Sequence, residues 1–147
     1  MRRPRGNGTL GGYTLEAQIG YVLRKAQQRA SAIFARHFGR DQLTPMQWTT
    51  LVRIHERGSL SQNHLGRLTA MDPATIQGVV ERLIERGLVT RIADPLDRRR
   101  KRLGLTQEGQ RLVRRLVGQA LKVSRDTLEP LGRRERTQVR ALLERLG

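Results

Sequence analysis

The chain has 147 residues, 37% of them hydrophobic and 3% aromatic, which fits one domain with a core built mainly from Leu, Val, Ile and Ala. Its formal net charge of +16 rests almost wholly on arginine, since Lys25, Lys101 and Lys122 are the only lysines, and a surplus of that size must face water or an anionic partner. Nucleic acid, a ribosome and a membrane surface all satisfy that condition, so charge alone does not choose; the absence of cysteine excludes disulfides, thiolate metal sites and cysteine nucleophiles.

Residues 1–12 combine Pro4, four glycines and Arg2, Arg3 and Arg5, and are expected to form a flexible basic arm. No apolar segment follows those arginines, so the start does not read as a signal peptide. No apolar run approaches the ~20 residues of a membrane span, and a soluble, cytoplasmic protein is expected. Residues 13–147 read as a single domain.

From Leu15, apolar residues fall at Ile19, Val22, Leu23, Ala26, Ala30, Ile33, Phe34 and Phe38. Steps of three and four predict one long helix, with Gly39 as its stop. Thr44-Pro45 supplies a cap and a proline for a second helix to Arg57, closed by Gly58. Ser61 caps a short third helix, Gln62 to Leu68, with Leu65 and Leu68 inward. Asp72-Pro73 opens a fourth, whose stripe is Ile76, Val79, Val80 and Leu83, until Gly87.

Beyond Gly87 the period drops to two. Leu88 to Ile92 and Leu103 to Leu105 flank Asp94-Pro95-Leu96-Asp97 and predict a β-hairpin. Thr106 caps a long helix with Leu112, Val113, Leu116, Val117, Ala120, Val123 and Thr127 on one face. Pro130 and Gly132 break it, and Val139, Leu142, Leu143 and Leu146 stripe the last helix.

The expected fold is therefore mainly α with a small β-hairpin wing. Residues 44–105, two short helices on a tight link and then a basic hairpin, have the order of a winged helix-turn-helix. With the apolar stripe inward, the fourth helix leaves Ala74, Thr75, Gln77, Gly78 and Arg82 outside. Gln77 suits adenine, Ala74 and Thr75 suit thymine methyl groups, and Arg82 suits guanine or phosphate. The hairpin carries Arg98, Arg99, Arg100, Lys101 and Arg102 in succession, and phosphates relieve the mutual repulsion of such a run. Asp97 beside them would repel DNA and is read as orienting a neighbouring arginine.

The histidines, His37, His55 and His64, lack metal-ligand spacing, and no catalytic or cofactor-binding motif is present. Neither an enzyme nor a cofactor is expected. An architectural protein coating nucleic acid without sequence preference remains the alternative on residues alone.

Asp94-Pro95-Leu96-Asp97-Arg98-Arg99 followed by Leu105-Thr106-Gln107-Glu108-Gly109 resembles the "DPxDRR…LTxxG" signature of the MarR family. Leu43-Thr44-Pro45-Met46-Gln47 is similar to its "LTxxQ" lead-in to the second helix. The resemblance runs from about Leu15 to Leu146. It implies a homodimer held by residues 13–43 and 106–147, a palindromic double-stranded DNA operator and a small-molecule effector. It also implies that Thr75, Gln77, Gly78 and Arg82 read bases and that Arg99, with Arg98 beside it, forms the wing tip. Gly78 departs from relatives that carry a long polar side chain there.

The stretch from Ser61 to Ile76 further resembles regulators of aromatic-acid breakdown within that family, which implies a hydroxybenzoate or hydroxynicotinate effector. Trp48 for stacking and Arg29 or Arg36 for a carboxylate are the expected effector contacts.

Overall fold

The computed structural model describes residues 11–147; of the arm expected over residues 1–12, only Gly11 and Gly12 fall within it. Among the described residues the order is a single 3-10 turn at Leu15–Ala17, α1 (Ile19–Phe38), a second 3-10 turn at Gly39–Asp41, and α2 (Pro45–Arg57). Then come β1 (Ser59–Leu60), α3 (Gln62–Leu68), α4 (Pro73–Glu85), β2 (Val89–Ala93), β3 (Lys101–Leu105), α5 (Gln107–Thr127) and α6 (Arg133–Glu144).

The caps explain the boundaries. Thr44 Oγ1 accepts the Gln47 N–H while Gln47 Oε1 accepts the Thr44 N–H, a reciprocal pair with Pro45 at the first helical position. That role accounts for a glutamine only 7% exposed, because its buried amide has work for its oxygen. Ser61, Asp72 and Thr106 each accept the backbone N–H three residues on, starting α3, α4 and α5. Gly87, at φ +69°, makes the left-handed turn out of α4.

The first helix starts later than expected, and its end is made differently. The predicted helix starting at Leu15 is interrupted at Gln18, which is extended (φ −80°, ψ 125°) and closes the preceding turn by donating Nε2 to Thr14 O at 3.0 Å. The α-helix does end at Phe38, just before Gly39 as expected, but not through a left-handed glycine: Gly39 is right-handed (φ −59°, ψ −34°) and opens the 3-10 turn, and Gln42 takes the left-handed conformation at φ 50°. The reason is tertiary. Arg86, at the end of α4, donates to the carbonyls of Gln42 (2.8 Å) and Asp41 (2.7 Å), and Arg115 of α5 holds the Asp41 carboxylate at 2.8 Å.

The hairpin is a three-stranded antiparallel sheet in the order β1-β3-β2, with Val89 opposite Leu105 and Ala93 opposite Lys101. The strand β1, two residues long, was not predicted; it pairs Ser59 with Gly104 and Leu60 with Leu103. One core cluster joins α1 through α5 and the sheet. Phe38, Leu51, Ile54, Leu60, Leu65, Val80, Leu83 and Leu116 are fully buried in it, each contributing roughly 1.5–3 kcal/mol of apolar burial. Phe34 stacks on Phe38 at 4.1 Å, and Trp48 tilts against Phe38 at 5.2 Å.

The helix α1 lies along α5. Two polar ties fasten the far end of that pair: His37 Nε2 meets Asp126 Oδ2 at 2.8 Å, and the Arg29 guanidinium donates to the Thr127 and Asp126 carbonyls at the end of α5. The predicted stripe of α5 divides. Leu112, Val113 and Leu116 are buried, whereas Val117 is exposed along with Leu121. Nothing on α6 is buried, and Leu142, Leu143 and Leu146 face solvent in the single chain.

Candidate nucleic-acid interface

The helix α4 turns its stripe of Ile76, Val79, Val80 and Leu83 into the core, as the spacing predicts. That leaves Ala74, Gln77 and Arg82 exposed, with Thr75 and Gly78 half-buried between them. Asp72 starts the helix by accepting the Thr75 N–H at 2.8 Å and the Thr75 hydroxyl at 2.9 Å. The first of those bonds, reinforced by the second, holds the Asp72 carboxyl below the usual carboxylate range. With its hydroxyl committed, Thr75 offers a partner its methyl group.

Gly78 is informative by what surrounds it. A Cβ built there would meet no protein atom within 4 Å, so packing inside the chain does not require glycine. A bare backbone on the outward face of α4 lets another surface approach closely. Sequence reasoning missed Glu81 on this face. It accepts the Gln77 side-chain amide at 3.2 Å, and the four-residue spacing was the available signal.

The wing is built by its acids. Asp94 Oδ1 accepts the Leu96 N–H at 2.9 Å, Asp97 Oδ1 accepts the Arg99 N–H at 3.0 Å, and the Arg100 N–H donates to Asp97 O at 2.9 Å. Consecutive turns of this kind fix the tip without help from a partner. Asp97 thus positions Arg99 through its backbone and stands 3.7 Å from Arg100 Nε. Arg98 and Arg99 are exposed, and neither meets a carboxylate among the described residues. Arg100 is exposed too. Arg102 departs from the run: it donates to Ser59 Oγ at 3.0 Å and to Ser59 O at 2.6 Å.

The three residues expected at an effector site have separate situations. Arg29 is engaged by the end of α5, Arg36 is exposed on α1, and Trp48 belongs to the edge of the core cluster against Phe38. Among the described residues no group of three or more His, Asp or Glu is arranged to hold a metal ion, and no helix is long and apolar enough to cross a membrane.

Residues 41–100, which span the helix-turn-helix and the wing tip, match the MarR family. The chain is 39% identical over 134 residues to the HTH-type transcriptional repressor NicR of Pseudomonas putida, covering 91% of this chain and 85% of that one. Its fold superimposes on a probable transcriptional regulator from Pseudomonas aeruginosa with a TM-score of 0.85 at 49% identity, over 91% of this chain and 100% of the other. It also matches BpsR of Bordetella bronchiseptica, whose DNA binding is regulated by 6-hydroxynicotinic acid, with a TM-score of 0.86 at 35% identity over 91% and 96% of the two chains. With the outward face of α4, the acid-built wing and this similarity across nine-tenths of its length, the chain belongs to the MarR family of DNA-binding transcriptional regulators.

Proposed function

We propose that two copies of this chain form a repressor that holds a palindromic duplex and releases it when an aromatic acid binds. The observation that carries the DNA reading is the pairing of α4's outward face with a wing whose Arg98 and Arg99 side chains meet no carboxylate among the described residues. In that arrangement Gln77, Arg82, Ala74 and Thr75 read base edges in the major groove. Arg99 and Arg98 enter the adjacent minor groove, and Arg100 meets phosphate. The protein acts in the cytoplasm by binding alone, without catalysis.

Dimerisation is supported by uncovered apolar surface. Leu15, Ile19, Val22 and Leu23 near the start of α1, Val117 and Leu121 on α5, and Leu142, Leu143 and Leu146 on and just past α6 are all exposed in one chain. A second copy covers such a surface, and two-fold symmetry then sets the α4 helices about 34 Å apart, one duplex turn. Residues 13–43 and 106–147 are the dimer-forming segments, with 44–105 as the DNA-binding unit.

The effector class is supported by the likeness to BpsR and by the cations on α1. Arg29 already donates through Nη1 and Nη2 to the Thr127 and Asp126 carbonyls, so a carboxylate drawn to that guanidinium competes with them. An acid that takes it therefore loosens the tie between α1 and the end of α5, and the spacing of the two DNA-binding units changes. Arg36 can receive the acid without that loss. Titrating hydroxybenzoates and hydroxynicotinates while following Trp48 fluorescence and release of a bound duplex tests the reading. An aromatic acid should shift both signals at submillimolar to millimolar concentration; release by an uncharged or metal effector alone would sink it.

A further inference from the structure

We infer that Arg102 is a positioning residue: it fastens the wing to the helix-turn-helix unit and does not itself contact DNA. Five cations succeed one another from Arg98 to Arg102, and electrostatics treats them alike. The structure separates them. The Arg102 side chain is 31% exposed, against 80% for Arg100, and its guanidinium is turned inward.

Its partners lie on two different elements. Nε donates to Ser59 Oγ at 3.0 Å, Nη2 donates to Ser59 O at 2.6 Å, and Nη1 faces Asp94 Oδ2 at 3.7 Å. A planar fork of five N–H groups suits such divergent acceptors, and a lysine ammonium does not. Ser59 stands between Gly58, the end of α2, and Ser61, the N-cap of α3. Asp94 stands at the start of the wing turn, where its other oxygen accepts the Leu96 N–H. Asp94 is also only 15% exposed, so its charge sits in a poorly solvated place where a nearby guanidinium counts for more.

A continuous path therefore runs from the tip turn through Asp94 and Arg102 to the junction of α2 and α3. The sheet alone gives a weaker join, because β1 contributes two residues. With Arg102 in place, the offset between the wing-tip arginines and the outward face of α4 is set before DNA arrives, and the wing need not be ordered on binding.

The inference rests on the DNA-binding reading, and its test has one arm free of DNA. First, amide hydrogen exchange of residues 94–102 is compared in the full-length wild type, Arg102→Ala, Arg102→Lys and Ser59→Ala. Exchange there should speed up at least several-fold in Arg102→Ala, by less in Ser59→Ala, and Arg102→Lys should not restore it, while the core of α2 and α4 keeps its protection. Second, affinity is measured against potassium chloride concentration for a duplex selected by the wild type from a random-sequence pool. Arg102→Ala should weaken binding about tenfold with an unchanged slope of log affinity on log salt, because no phosphate contact is removed. Effects of Arg102→Ala and Ser59→Ala should be non-additive. A slope lower by about one in Arg102→Ala would make Arg102 a phosphate contact and overturn the inference. So would unchanged exchange, and so would unchanged affinity. Should Arg102→Ala fail to fold, Ser59→Ala carries the same two readouts. A wild type that selects no duplex contradicts the DNA reading instead, and leaves the exchange result to stand or fall by itself.

Discussion

Gly109, in the first turn of α5, lies directly against the Leu88 carbonyl: a Cβ on Gly109 would sit 2.1 Å from Leu88 O. The same carbonyl accepts the Thr106 N–H at 3.1 Å, and Thr106 Oγ1 donates to Gly87 O at 2.6 Å while accepting the Gly109 N–H at 3.0 Å. The Leu105-Thr106-Gln107-Glu108-Gly109 motif is thus a joint that seats α5 on the loop leaving α4. Backbone cannot yield as a flexible side chain can. Gly109→Ala should therefore destabilise the protein by about 3 kcal/mol, lowering the thermal midpoint by roughly 10 °C. Differential scanning calorimetry checks it; an alanine variant as stable as the wild type would show that the joint is loose.

Arg99 and Gln77 should fail differently. Removing an arginine from a narrow minor groove costs about 1–3 kcal/mol of duplex affinity and lowers the salt slope by about one. Gln77→Ala should instead flatten base preference at one position per half-site, with binding to unrelated DNA nearly unchanged. Salt-dependent anisotropy on a selected duplex and on single-base variants separates the two. Equal losses on every sequence from both changes would contradict the assignment of base reading to Gln77.

The tie between α1 and α5 should weaken in acid. The His37 hydrogen bond, aided by Arg125, holds the Asp126 carboxyl below its ordinary value. A carboxyl that is more acidic when folded binds fewer protons than in the unfolded chain as pH falls through the carboxylate range. Its contribution is therefore fully present above the ordinary value of 3.8 and is lost as pH drops through the lower folded value. Urea midpoints of the wild type and Asp126→Asn should differ at about pH 6 and converge by about pH 2. A gap that stays constant across that range would remove the charge from the account.

The exposed leucines predict assembly. Sedimentation at micromolar concentration should give twice the chain mass, and Leu142→Glu with Leu146→Glu should shift the protein toward monomer or aggregate. A well-behaved wild-type monomer at that concentration would leave the apolar faces of α1, α5 and α6 unexplained.

What was legible in the sequence followed from local chemistry. Thr44-Pro45, Ser61, Asp72-Pro73 and Thr106 each start a helix because a cap needs only the next three residues. The α4 stripe was legible because one side of that helix meets the core throughout. The break at Gln18 was hidden, since Leu15 and Ile19 keep helical spacing across it. The two residues of β1 carry no period at all and become a strand only through β3, 43 positions on from Ser59 to Arg102. The same distance concealed the different fate of Arg102 within a run of like charges. The engagement of Arg29 with the end of α5 was hidden because its acceptors, the carbonyls of Asp126 and Thr127, are backbone atoms that no side-chain pattern announces.

The most direct test of the central claim is a competition measurement at one fixed salt concentration. A duplex selected from a random pool competes against a shuffled duplex of the same length and composition. A regulator that reads bases through α4 and shape through its wing should prefer the selected, two-fold symmetric duplex by about 10³-fold or more. Equal affinity for the two duplexes, with the charge of +16 supplying all of the binding, would contradict sequence-specific recognition and return the protein to a non-specific coat on nucleic acid.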